Sequence, residues 1–182
     1  MRKRVGLVIM MGMLMLWAGS GLAAQQITDQ AVDLVALKGL LSKAEVIVPE
    51  VNAKVKLKNG QAEYTQKSEH IKITLGKIIG QSKEPNGSNE IYAEIITKKS
   101  GPEEFHYVGL FLMTGNKVEH TSSVLIGDRV NMLAASHLCT QDQKVCLVFI
   151  NYQDRYVGQE MTALPTHKAE KIFKITGHQI SQ

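Results

Sequence analysis

From residue 54 to residue 176 the chain repeats one device: a short run of alternating apolar and polar residues, closed by turn-forming glycine, asparagine, aspartate or proline. Successive side chains of a strand point to opposite faces, so a period of two builds half-buried antiparallel strands and does not suit a helix. In "AKVKLKNGQAEYT", Val55 and Leu57 alternate with lysines before Asn59-Gly60, a strong two-residue hairpin signal. Further strands are predicted at 70–78, 90–99, 105–114, 117–126, 129–138, 144–152 and 169–176. Strands at such even spacing suit a meander curled into a sandwich or partly open barrel. The polar stretch "GQSKEPNGSNE" (80–90) reads as a surface loop, and its Asn86-Gly87-Ser88 sequon as a turn.

One helix precedes the strands. Ile27, Ala31, Leu34, Val35, Leu37 and Leu41 recur at threes and fours, Thr28 or Asp29 can cap, and Lys38 and Lys43 complement the C-terminal end of the dipole. The helix is predicted over about 28–43, with Pro49 forbidding continuation and its apolar face docked on the sheet. The fold class is therefore α+β, mainly β, in a single globular domain spanning 25–182, whose β region runs over about 54–176.

Residues 1–24 have a different plan: Arg2, Lys3 and Arg4, an apolar core from Val5 to Trp17, and small residues before Gln25. That is the layout of a signal peptide, with cleavage expected after Ala24 and Ala23 as runner-up. The apolar core is shorter than the roughly 20 residues a membrane-crossing helix needs, so no stable membrane insertion is expected after cleavage. A periplasmic or secreted location follows. Three of the 21 basic residues and none of the 17 acidic ones lie in this segment, so the remainder carries 18 basic against 17 acidic side chains. A nucleic-acid partner, which would require clustered Lys and Arg, is excluded.

In an exported chain, two cysteines read as one disulfide. Cys139 and Cys146 are spaced wrongly for a CxxC redox motif and lack the further ligands of a structural zinc site; they suit facing strands of one hairpin, "HLC" and "CLVFI". The tripeptide Gly127-Asp128-Arg129 interrupts an apolar run, and reads as a tight turn between adjacent strands, with glycine supplying positive φ and Arg129 paired to Asp128. The same Asp128/Arg129 pair is a candidate for facing a ligand or partner.

The runs "FHYVGLFLMTGNKVEHTSSVLIGDRVNML", "VCLVFINYQDR" and "ALPTHKAEKIFKI" resemble a family of exported bacterial proteins that includes the LppP/LprE lipoprotein type. Tyr107, Phe111, Leu112, Gly127, Asp128, Arg129, Val130, Pro165 and Thr166 carry the resemblance, which spans roughly 54–176. It implies an envelope location and a mainly β domain, implies no activity, and adds Tyr107 to the ligand or partner candidates. The acidic "GDLNGDG"-like loop of such relatives is replaced here by "GKIIGQSKEPNGSNE", so calcium is not carried over.

No Gly-x-Ser-x-Gly elbow, HExxH pair or phosphate-binding glycine loop occurs. His106, His120, His137 and His167 are scattered with Asp128 and Asp154, and His106 and His120 fall on neighbouring strands where they could meet. No catalytic residue, metal ligand or cofactor is assigned. The expectation is a non-catalytic envelope protein that binds an envelope macromolecule or a small ligand; the alternative is a periplasmic hydrolase with a His/Asp-assisted site near Asp128 and Arg129.

Overall fold

A computed structural model describes residues 34–66, 68–84, 87–142, 144–156, 158–160 and 162–182. Residues 1–24, read above as a signal peptide, and residues 28–33 of the predicted helix lie outside the described residues. What is described of the helix is α1 (Leu34–Leu41), which buries Leu37 and Leu41. The chain then forms eleven described strands: β1 (Glu45–Val48), β2 (Ala53–Lys56), β3 (Gln61–Gln66), β4 (Glu69–Lys83), β5 (Asn89–Lys99), β6 (Glu104–Thr114), β7 (Lys117–Asp128), β8 (Asn131–Cys139), β9 (Val145–Asp154), β10 (His167–Thr176) and β11 (Gln179–Ser181). The fold is α+β and mainly β, as the alternation predicts.

The strands make two sheets, ordered β2-β1-β7-β6-β5-β4-β3 and β11-β10-β9-β8. All described ladders are antiparallel except the one rung that joins β1 to β7, Glu45 opposite Glu119. One face of the large sheet packs on α1 through Val46, Ile73, Ile91, Ile95 and Phe111. Its other face packs on the small sheet, where Tyr92, Val108, Leu110 and Ile126 meet Val148, Ile150, Phe173 and Ile175. Strands β5 and β6 are thus buried on both faces.

Asn59 and Gly60 take φ of 54° and 79°, both positive as a type I′ turn requires, and Lys58 and Gln61 exchange backbone hydrogen bonds across them. The predicted hairpin nevertheless stops at that bridge. β2 ladders with β1 and β3 with β4, at opposite margins of the large sheet. Gly60 donates to Ser42 O while Leu75 donates to Gly60 O, so the turn fastens the two margins of the curled sheet together.

The 80–90 stretch is also corrected. Gly80–Lys83 continue β4 and Asn89–Glu90 open β5, so the polar run is largely the tip of a long hairpin. Two register shifts around Gly76–Ile79 bend β4 toward the small sheet, and the His137 ring lies directly over Gly80, where a side chain would collide.

Gly127-Asp128 is not a turn between neighbouring strands. β7 runs through Asp128, β8 starts at Asn131 in the other sheet, and the intervening residues carry the chain from one sheet to the other. The positive φ, 51°, belongs to Arg129 and not to Gly127. Gly127 is needed for space: a Cβ there would stand 2.5 Å from Val130 Cγ1. Cys139 and Cys146 face each other on β8 and β9 and are disulfide-bonded. Among the described residues no helix is long and apolar enough to cross a membrane. The disulfide is compatible with an extracytoplasmic protein.

Candidate functional site

Alternation along β5 puts Glu90, Tyr92 and Glu94 on one face. In a single sheet that face would meet water; here the small sheet covers it, and Glu90 and Glu94 become buried carboxylates. Each is satisfied by a histidine.

At one end, the hairpin between β10 and β11 turns on Gly177 and His178, with φ of 58° and 61°. Such a two-residue turn usually takes asparagine or glycine. The histidine here reaches across to the large sheet, its Nδ1 donating to Glu90 Oε1 at 2.7 Å. Tyr92 Oη donates to Glu90 Oε2 at 3.1 Å, which leaves the Ser82 hydroxyl to donate to Tyr92 Oη at 2.8 Å. Burial, first of all, raises the Tyr92 pKa, so its hydroxyl keeps the proton it donates. The Glu90 side chain is 4 % exposed and that of His178 40 %. Glu90 lines a cleft of about 300 Å³ together with Glu84, Lys144, Ile175, Thr176, Gly177 and His178. Burial and then the Glu90 charge raise the Glu84 pKa, against a smaller opposing effect of His178. A carboxylate oxygen accepts about two hydrogen bonds, so Glu90 retains acceptor capacity beyond His178 and Tyr92.

At the other end His106 Nδ1 lies 2.9 Å from Glu94 Oε1 and Nε2 3.3 Å from Glu104 Oε1. Burial pushes the ring toward neutrality, but the hydrogen bonds and charges of Glu94 and Glu104 outweigh it and raise the pKa. Burial likewise raises the Glu94 carboxyl, yet His106 and the Lys77 N–H prevail and hold it low. Lys77 Nζ donates to Met132 O and Lys171 Nζ to Ile126 O, stitching the sheets together around this network.

His120 does not meet His106. It lies opposite Phe111 on the helix face, while His106 lies on the face toward the small sheet. Its Nδ1 accepts from Ile47 N–H, so Nε2 carries the hydrogen and donates to Ser123 Oγ at 2.8 Å. A histidine acting as base toward that serine would need the opposite arrangement. Burial lowers its pKa to about 4.

Tyr107 is 8 % exposed, in the helix-side core, hydrogen-bonded with Glu50 and Thr97. Burial, then the Glu50 charge, raises its pKa. It is on the opposite face of β6 from the cleft. Asp128 and Arg129 form the expected pair, with Arg129 Nε 3.1 Å from both carboxylate oxygens; Asp128 Oδ1 also accepts from Glu104 N–H. Burial works against the Asp128 charge, but the Arg129 hydrogen bonds lower its pKa. The three sequence candidates thus do not converge with Glu90 and His178. The cleft residues left two signals in the sequence, glutamates flanking a tyrosine at period two and a histidine in the "TGHQ" turn.

Among the described residues no group of three or more His, Cys, Asp or Glu side chains is arranged to hold a metal ion. The fold defines a mainly β domain in which a curled seven-stranded sheet packs a helix on one face and a four-stranded sheet on the other. No protein-family model matches the chain, and no curated protein and no solved structure matches it.

Proposed function

We propose that the chain is a non-catalytic binding protein of the bacterial envelope that holds a small ligand bearing a protonated amine in the Glu90–His178 cleft. The observation that carries this is a buried carboxylate lining a cleft, with spare acceptor capacity and a second carboxylate, Glu84, in the same lining, against one lysine, Lys144. A cation is the complement of the two carboxylates, and about 300 Å³ is at the small end of ligand pockets. Export through residues 1–24, a periplasmic or secreted location and kinship with the LppP/LprE-type family are parts of the same proposal, supported by the N-terminal pattern and the GDRV and PT motifs. The hydrolase alternative gains no support near Asp128, whose carboxylate serves Arg129 and the Glu104 N–H.

Calorimetric titration of the protein with small primary amines and amino acids, against carboxylates of equal size, tests the reading. Amine-bearing compounds should bind and the carboxylates should not. Glu90→Gln keeps the side chain's size and one acceptor oxygen, for His178, while its amide nitrogen, which can only donate, replaces the oxygen that accepts from Tyr92. With the charge removed, binding should weaken at least about tenfold, the typical value of a charge-assisted contact. Equal binding by wild type and Glu90→Gln, or no binding by any amine, overturns it.

A further inference from the structure

The two sheets end on four margin strands: β2 and β3 on the large sheet, fastened together at the Asn59-Gly60 turn, and β11 and β8 on the small one. Unpaired strand edges recruit other strands, and proteins blunt them with charge, shortness or bulges. β2 carries Lys54 and Lys56, both exposed, β3 carries exposed Glu63, and β11 is three residues long. β8 differs: it has nine residues and no charged side chain. Its start is bulged between Met132 and Ala134, and Lys77 already occupies Met132 O. From Ala134 to Cys139 it ladders without interruption to β9 on one side, and the disulfide to Cys146 pins its end. Ala134, Ser136 and Leu138 project from the outer face, Leu138 at 65 % exposure.

We propose that two copies of the chain pair through β8, antiparallel about Ser136, joining their four-stranded sheets into one of eight strands. Self-pairing about a two-fold axis sets each residue against its symmetry mate, so a strand can do it only where like charges are not brought together. Pairing of β2 with itself would gather Lys54 and Lys56 of both copies; β8 gathers none. Centred on Ser136, the pairing sets Leu138 of each copy on Ala134 of the other, large against small on one face, and places the two Ser136 hydroxyls side by side. The disulfide keeps the strand end from fraying, so little order has to be gained on pairing. Edge pairing covers less than the roughly 800 Å² per partner of a standard interface, so the dimer should form in the micromolar range. Ser136 and its neighbours on β8 do not line the amine cleft, whose small-sheet lining is Ile175–His178 of the β10–β11 hairpin and Lys144 of the β8–β9 turn.

Sedimentation velocity over a concentration series tests this on the full chain as exported. Wild type should pass from monomer to dimer as concentration rises. Ser136→Lys, whose side chain points to solvent in the monomer, should raise the dissociation constant at least tenfold without lowering the melting temperature. Asn151→Lys, one strand inward on the same face, should leave the dimer intact. Ser136→Cys should form an intermolecular disulfide under mild oxidation, since directly opposed strand residues lie within disulfide reach. A wild type monomeric at every concentration, or a dimer indifferent to Ser136→Lys, overturns the proposal; a β8 edge taken by a different protein would give the first result.

Discussion

Replacing Gly127 by alanine adds one methyl group to a place the fold has already filled. The new Cβ would stand 2.5 Å from Val130 Cγ1, about 1 Å inside ordinary carbon contact. Val130 is buried and cannot slide away, because Arg129 before it is held in a left-handed conformation with its N–H bonded to Glu104 O. Overpacking of this kind costs about 1–3 kcal/mol. Val130→Ala alone should cost about 2 kcal/mol for two buried methyl groups and the space they leave. In the double variant the added methyl enters the vacated volume, so its cost should fall short of the sum by at least about 1 kcal/mol. Urea unfolding at neutral pH, read as shifts in midpoint at constant slope, measures all three values. If the penalties add to within about 0.5 kcal/mol, the contact with Val130 is not what requires glycine, and a backbone explanation blind to residue 130 replaces it.

Two histidines should give the stability curve opposing slopes. His120, held neutral with a pKa of about 4, lets the unfolded chain take up a proton first, so stability falls by about 3 kcal/mol as pH drops from 6.5 to 4, and His120→Gln should flatten that limb in urea melts. His106, raised above 6.5, contributes stability that is full below pH 6.5 and lost as pH rises through its folded value; Glu94, lowered below 4.5, contributes above pH 4.5 and loses it as pH falls through its folded value. His106→Gln should therefore remove the alkaline decline, and a decline unchanged by the substitution would assign it elsewhere. Replacing Cys139 and Cys146 together by serine should cost about 2–3 kcal/mol for so short a ring and leave the circular dichroism spectrum recognisable. Thiol titration of the unfolded, unreduced wild type should find no free cysteine.

The central strands were legible because alternation and turn chemistry agree there: 90–99, 105–114 and 117–126 are Asn89–Lys99, Glu104–Thr114 and Lys117–Asp128. β1, "EVIV", was hidden as the tail of a helix, and β11 is too short to show a period. The change of sheet at Arg129 was hidden for another reason. A non-glycine residue at positive φ leaves no mark in composition, so Gly127 took the role that Arg129 plays. The cleft escaped because alternation tells which side chains share a face and not what covers that face. Glu90 and Glu94 look like solvated residues until a second sheet is laid over them.

The chain crosses between its sheets once, at Arg129–Val130, and on either side of that point the neighbours in space are mostly neighbours in sequence. Contacts of that kind form early and cheaply, since each hairpin closes only a short loop. The exception is the seam where β1 reaches β7, with Ile47 N–H bonded to His120 across 73 residues. Its loop-closure entropy can be met only after the meander β3–β7 exists to receive it. Folding should then finish where the sequence begins, with α1 and the β1–β2 pair settling onto a sheet already assembled.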